Sequence, residues 1–175
     1  MTSDVNAYPG LGLRVLRPDE FNSSENAVPI YPLKLAAGKF GESQTVDELG
    51  DHDWVVLPDS FRAQSGLFVS QVVGESMNRR IPNGAWCLFK LNPVGTRQGK
   101  VVLVQHRDIQ DPDTGGQYTV KVYESEKSES DDGTWQHDRV VLKPDTLAPG
   151  YKPIEIKANV LEELRVIAEL VAVLG

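Results

Sequence analysis

Short apolar runs separated by turn-forming residues dominate the chain after about residue 54. Six of these runs have the length and β-branched content of strands: 67–73, 85–90, 100–105, 118–123, 139–143 and 153–157. The stretches between them are rich in Gly, Pro, Asn and Asp, which favour turns. The pattern predicts a mainly β domain. Because residues 124–138 are strongly charged, we expect them to form an exposed hairpin loop.

The last apolar stretch, 161–174, fits two periodicities. Leucine or isoleucine recurs every three or four residues from Leu161 to Leu174, which is the spacing of a helix. From Val166 onward the residues also alternate as they do in a strand. Periodicity alone favours a helix and leaves the strand open.

The chain before residue 54 has a different character. Residues 1–29 contain several prolines and glycines and little apolar periodicity, which predicts an irregular or mobile arm. The apolar segment 30–40 is expected to be extended around Pro32, and it carries the small residues Ala36, Ala37 and Gly38. We therefore expect an arm over 1–29, a segment and linker over 30–53, and a β domain over 54–175.

The charge and the cysteine content of the chain argue against several classes of function. The 175 residues carry a formal net charge of −7, which argues against direct nucleic-acid binding through bulk electrostatics. The single cysteine, Cys87, excludes a disulfide framework and a Cys-rich zinc module, and it fits a cytoplasmic protein. The start of the chain has neither a basic cluster nor an apolar core, so we expect no signal peptide and no membrane segment. We expect no metal and no cofactor.

Ser76 is the first candidate for chemistry. It follows a predicted strand and Gly74, at a point where backbone N–H groups are free to hold an oxyanion, with those of Ser76 and Glu75 as candidates. The alternative is that Ser76 is a helix N-cap. Because residue 78 is Asn, the G-x-S-x-G motif of Ser-His-Asp hydrolases is absent, and Ser76 needs a different base.

Lys121 is the candidate base. His52, His106 and His137 lie in polar stretches, where we expect them to be solvated. Lys121 is instead a single charge within the uncharged strand 118–123. A lysine becomes a base near neutral pH when it is desolvated and no carboxylate lies close by. The alternative is an exposed lysine that protects the edge of a sheet.

These motifs, in this order, resemble the LexA/UmuD family of self-cleaving serine–lysine peptidases. A G-x-S-M motif follows a strand at residues 74–77, and a lysine lies in a T-V-K strand at 119–121. The resemblance extends over about residues 30–175. It implies that Ser76 is the nucleophile, that Lys121 is the general base, and that the chain cuts itself between Ala37 and Gly38. The alternative for that bond is a chance run of small residues.

The resemblance carries further expectations. It implies a twisted, mostly antiparallel β fold, a homodimer, and a strand for the final segment. It also implies a DNA-damage (SOS-like) or phage-related response, an activating RecA-type filament, and a helicase or polymerase as partner. A function of another class is a non-cleaving adaptor of the same fold, which would bind such a partner through residues 111–116 and 124–138.

Three features depart from the family pattern. Ala85 stands where relatives carry an acid in P-x-G-D, and residues 111–116 form an inserted turn between Ser76 and Lys121. The 36 residues before Ala37 are too few and too rich in proline for the helix-turn-helix domain of the repressor members. We therefore expect an organisation like that of UmuD, in which cleavage removes a short arm, rather than a repressor.

Overall fold

Antiparallel β-sheets form most of the molecule. The structure, a computed structural model, describes residues 8–40, 52–129, 133 and 135–175. The strands, numbered along the chain, are β1 (Val15–Leu16), β2 (Ala27–Pro29), β3 (Trp54–Val56), β4 (Leu67–Val72), β5 (Ala85–Leu91), β6 (Val101–Gln105), β7 (Tyr118–Glu129), β8 (Trp135–Lys143), β9 (Ile154–Lys157) and β10 (Arg165–Val173). Strands β4 to β10 form one sheet in the order β4-β5-β10-β6-β7-β8-β9. The prediction of a mainly β, antiparallel fold is confirmed.

The hairpin of β7 and β8 is longer than the sequence predicted. Residues 124–138 were expected to form a loop, but β7 continues to Glu129 and β8 begins at Trp135. Opposite charges face each other across the two strands: Arg139 bonds Glu126 at 2.7 Å, and Lys143 bonds Glu124 at 2.6 Å. Such cross-strand ion pairs stabilise an exposed hairpin even where its strands have no alternating apolar residues. The expected loop is therefore wrong for most of this stretch.

The final segment is the strand β10, as the resemblance implied, and not a helix. It lies between β5 and β6 and pairs with both, so its backbone is hydrogen-bonded on two sides. Ile167 and Ala168 are buried there. Pairing within the sheet outweighs the good helix propensity of the segment. The helical spacing at its start corresponds to a short 3-10 helix, Ala158–Glu163.

The N-terminal residues 8–29 are packed against the β domain, which corrects the expectation of a separate arm, although outside β1 and β2 they are irregular. Strands β1 and β2 flank β3 in a second, three-stranded sheet. One buried cluster contains Val28, Ile30 and Val55, which come from the three parts into which the sequence was divided. Residues 8–29 therefore share a core with the rest of the chain. The first seven residues of the expected arm lie outside the described part.

The segment after Pro32 is helical, where the sequence suggested an extended chain. Helix α1 (Leu33–Phe40) buries Leu33, Ala36 and Ala37, which recur at the i, i+3 and i+4 spacing of a helix face. Its eight residues do not reach across a bilayer, and among the described residues no other helix is long and apolar enough to do so. The linker 41–51 lies outside the described residues.

Candidate active site

Ser76 lies in a tight turn directly after β4. Gly74 opens the turn with a φ of +105°, a conformation that side chains with a Cβ rarely adopt. Hydrogen bonds to two main-chain carbonyls fix the turn: the N–H of Asp145 donates to Ser76 O at 2.9 Å, and the Thr146 hydroxyl donates to Glu75 O at 2.5 Å. Ser76 is buried, with 8% of its surface exposed. The turn thus holds the serine hydroxyl inside the protein.

Lys121 lies on β7 opposite Val102 of β6, and its side chain is buried with 4% exposed. Its Nζ is 3.0 Å from Ser76 Oγ. The structure therefore brings the two predicted site residues into hydrogen-bonding contact, and it excludes the alternative of an exposed edge lysine. Their catalytic role stays a prediction.

The other contacts of Lys121 allow the amine to be neutral. Nζ lies 2.5 Å from Thr119 Oγ1 and 3.2 Å from Val120 O. The Thr119 hydroxyl donates its own proton to Asp111, so its oxygen accepts from the amine. A neutral amine would donate its two protons to these two acceptors and keep one lone pair for the proton of Ser76, whereas an ammonium ion would have a third proton for Asp111 or Ser76. The contacts therefore accommodate both protonation states, and only the neutral one can accept the serine proton.

Asp111 contradicts the expectation that no carboxylate lies close to Lys121. Its Oδ2 is 3.4 Å from Lys121 Nζ, and its side chain is only 3% exposed. Sequence reasoning missed this residue because it belongs to the inserted turn 111–116, ten positions before the lysine. The available signal was an aspartate at the start of a Gly- and Pro-containing turn, where its side chain accepts the N–H groups of Asp113 and Thr114.

Burial and charge act in opposite directions on Lys121. Burial lowers the pKa of the amine, while the charge and hydrogen bond of Asp111 raise it, and the net pKa lies below that of an ordinary lysine. Burial also pushes the pKa of Asp111 upward, but hydrogen bonds from Thr119 and the backbone, together with the charge of Lys121, hold it below its usual value. The site thus contains an ionised carboxylate beside an amine that loses its proton more readily than a free lysine.

The predicted cleavage bond is not presented to the serine in this conformation. Ala37 is 1% exposed and lies within α1, in the same buried cluster as Met77 and Val120. Val120 neighbours Lys121 on β7, so the two side chains point to opposite faces of the strand. The structure therefore brings Ser76 and Lys121 together but keeps the bond between Ala37 and Gly38 folded into a helix.

Glu75 and Ser76 were also predicted to supply backbone N–H groups to an oxyanion. The carbonyl oxygens of Ser76 and Glu75, the two residues with candidate oxyanion-donor N–H groups, accept hydrogen bonds from Asp145 and Thr146. That role of Glu75 and Ser76 stays a prediction.

His106 is buried, not solvated as expected. Its Nδ1 accepts the N–H of Asp108 and its Nε2 donates to Val160 O at 2.8 Å, so it ties the end of β6 to the 3-10 helix. This structural role explains its burial. His52 is half-buried, and the His137 side chain lies outside the described part of the chain.

Comparison with known proteins supports the family suggested by the motifs. The family model for Peptidase S24-like proteins matches residues 29–171, which include both Ser76 and Lys121. No curated protein matches the chain. The match covers most of the 175 residues and begins before α1. The chain therefore belongs to the Peptidase S24-like family, the family of LexA and UmuD.

Proposed function

We propose that this protein is a serine endopeptidase that cuts its own chain between Ala37 and Gly38, with Ser76 as nucleophile and Lys121 as general base. The observation that carries the proposal is the 3.0 Å contact between Ser76 Oγ and Lys121 Nζ, both inside the protein. A buried serine and lysine in contact can exchange a proton without competition from bulk water.

The chemistry follows from this contact. Neutral Lys121 takes the proton of Ser76 as Oγ attacks the carbonyl carbon of Ala37. The resulting oxyanion is stabilised by backbone N–H groups, for which Ser76 and Glu75 are the candidates. The lysine then gives its proton to the nitrogen of Gly38, which leaves as the new N-terminus. Water, deprotonated by Lys121, finally hydrolyses the ester and frees the carboxylate of Ala37.

Attack requires a change in α1. The carbonyl carbon of Ala37 must approach Oγ to about 3–3.5 Å, and a residue buried in a helix cannot present it. Helix α1 must therefore unwind and leave its core cluster before cleavage. Since the bond belongs to the same chain, no second molecule has to be captured once the segment is free.

The first test is autocleavage of the purified protein at increasing pH, followed by mass spectrometry. We expect a fragment that ends at Ala37, released faster as the pH rises, because the neutral fraction of Lys121 increases with pH. Ser76→Ala should remain whole at every pH, whereas Ser60→Ala, which changes an exposed serine, should cleave like the wild type. Cleavage of Ser76→Ala at the same bond would refute the proposal.

A second test concerns the unwinding of α1. Lys34 is exposed on this helix, so Lys34→Gly and Lys34→Ala remove the same charge but differ in helix propensity by up to about 1 kcal/mol. We expect the glycine variant to cleave up to about fivefold faster than the alanine variant, because the helix unwinds more easily. The two cleavage rates are compared at one pH. Equal rates would show that unwinding does not limit the reaction.

The non-cleaving adaptor is the second candidate. The helical state of α1 and the contact of Asp111 with Lys121 favour it, since a helical bond and a carboxylate beside the base would both oppose cleavage. If wild type and Ser76→Ala both stay intact, with and without a RecA-type filament, the adaptor is the better proposal. In either case the homodimer, the cytoplasmic setting, the DNA-damage or phage-related response and the helicase or polymerase partner are proposed on the family resemblance alone.

A further inference from the structure

The inserted turn 111–116 is built so that Asp111 faces the site. One carboxylate oxygen, Oδ1, accepts the N–H groups of Asp113 at 2.7 Å and Thr114 at 3.0 Å. The main chain closes the turn, with the N–H of Gly115 donating to Asp111 O at 2.8 Å and that of Asp111 to Gly116 O at 3.1 Å. The turn itself therefore fixes the direction of the second oxygen, Oδ2.

Oδ2 connects the turn to the nucleophile through a chain of contacts. It accepts the hydroxyl proton of Thr119 and lies 3.4 Å from Lys121 Nζ. Thr119 Oγ1 is in turn 2.5 Å from the same Nζ, and Nζ contacts Ser76 Oγ. Asp111 and Thr119 are both buried. Carboxylate, hydroxyl, amine and serine thus form one network inside the protein.

A serine–lysine pair has no chemical need for this carboxylate. The lysine acts as a base only when it is neutral, and an opposite charge within about 4–6 Å favours the ammonium form. Asp111 therefore opposes the activation that burial provides. A buried carboxylate at this position restrains the lysine rather than assisting it.

Besides Asp111, few charged groups in the described part of the chain act on the Lys121 amine. From β6, Lys121 faces Val102, and from the turn after β4 it faces Ser76, neither of which carries a charge. Among the described residues, Asp111 and Asp113 are the charged groups that influence its protonation. Asp113 belongs to the same turn, where one of its oxygens accepts the Tyr151 hydroxyl and the other packs against Gly74. The turn 111–116 therefore supplies the negative charge near Lys121.

We propose that Asp111 is a positioning residue that keeps the Ser76–Lys121 pair latent: it orients Thr119 and holds Lys121 as an ammonium ion at neutral pH. This inference rests on the proposed peptidase function. Movement of the turn 111–116 away from β7, or a rise in pH, leaves the amine neutral and the serine with a base. The inserted turn is thus a restraint on the site.

Asp111→Asn tests this proposal with little disturbance of the turn. The amide oxygen of asparagine can still accept the two N–H groups of the turn, while the charge beside Lys121 is removed. We expect autocleavage at pH 7 to be about tenfold or more faster, which is the effect of removing an opposite charge at this distance. Asp59→Asn removes an exposed carboxylate and should cleave like the wild type.

Direct titration of Lys121 by NMR separates this proposal from the peptidase function. The protein is labelled at the lysine side chains, and the Lys121 signal is the one missing from Lys121→Met. We expect Lys121 to be charged at pH 7 in the wild type and to lose its proton at lower pH in Asp111→Asn. Should the variant not fold, the wild type alone decides, because a neutral Lys121 at pH 7 overturns the restraint.

The two readouts give distinct outcomes. If the lysine midpoint falls in Asp111→Asn but no variant cuts its chain, the restraint by Asp111 stands and the peptidase function fails. If the chain is cut but neither the lysine midpoint nor the pH dependence of cleavage moves, the peptidase function stands and the role of Asp111 is overturned.

Discussion

Lys121→Met is expected to slow autocleavage strongly at every pH and to destabilise the protein at neutral pH. Methionine matches the length of the lysine stem but provides no base, so we expect cleavage to fall by about 10²–10⁴-fold, the usual contribution of a general base. The variant also leaves the buried Asp111 without its cationic partner. Breaking a buried ion pair in this way costs about 3–5 kcal/mol of unfolding free energy.

Chemical denaturation, combined with a second substitution, separates the loss of the catalytic base from the loss of the ion pair with Asp111. In Lys121→Met, the lost stability should return as the pH falls, because protonation removes the unpaired charge of Asp111. The double variant Lys121→Met/Asp111→Asn should regain most of the stability at neutral pH and still cleave slowly. If the single variant were as stable as the double variant at neutral pH, Asp111 would not be an ionised partner of Lys121.

The fragment that ends at Ala37 is expected to stay bound after cleavage. Strands β1 and β2 lie before the cut bond, but both pair with β3, which lies after it. Val28 and Ile30 of the fragment are buried in one cluster with Val55, Leu57 and Val69 of the remainder. Each such side chain stabilises the complex by about 1.5–3 kcal/mol relative to an exposed one.

Polar contacts add to this association. The indole N–H of Trp86 donates to Pro9 O at 2.8 Å, and the Ser70 hydroxyl donates to Tyr31 O at 2.6 Å. The N–H of Ile30 also donates to Asp53 O at 2.9 Å. Each of these bonds joins a residue before the cut to one after it. Cleavage alone would therefore yield a nicked protein rather than the free arm expected from the sequence.

Size-exclusion chromatography after complete autocleavage measures this directly. Both fragments should elute together in native buffer and separate in denaturant. Val28→Asp places a charge in the buried cluster and should release the fragment, whereas Ser23→Asp adds the same charge at an exposed position and should not. Separation of the wild-type fragments in native buffer would contradict the expectation. Retention would mean that a partner must displace β1 and β2 before the arm leaves.

Features that depend on a few neighbouring residues, such as the strands of the large sheet, could be predicted from the sequence. Alternating apolar residues and turn-forming residues located the strands of the large sheet, because these signals arise within a few neighbouring positions. Ser76 and Lys121 stood out because each interrupts such a pattern. In the segment 161–174, local spacing favoured a helix, and the strand became evident only through pairing with β5 and β6.

The features that depend on distant contacts were not predictable in this way. Residues 8–29 lack periodicity, since β1 and β2 are only two and three residues long and derive their order from β3. Helix α1 is short, and only its fit in the core distinguishes it from an extended segment. Asp111 has the sequence context of a surface turn, and its meeting with Lys121 requires that the turn fold back over β7.

Gly74 has a consequence for how this site can evolve. A Cβ at position 74 would lie 2.2 Å from Oδ2 of Asp113, so any larger residue would require the Asp113 side chain to move. The turn that contains Ser76 and the turn 111–116 therefore pack closely because residue 74 has no side chain. A substitution at position 74 would therefore be expected to require a second change, at position 113 of the inserted turn.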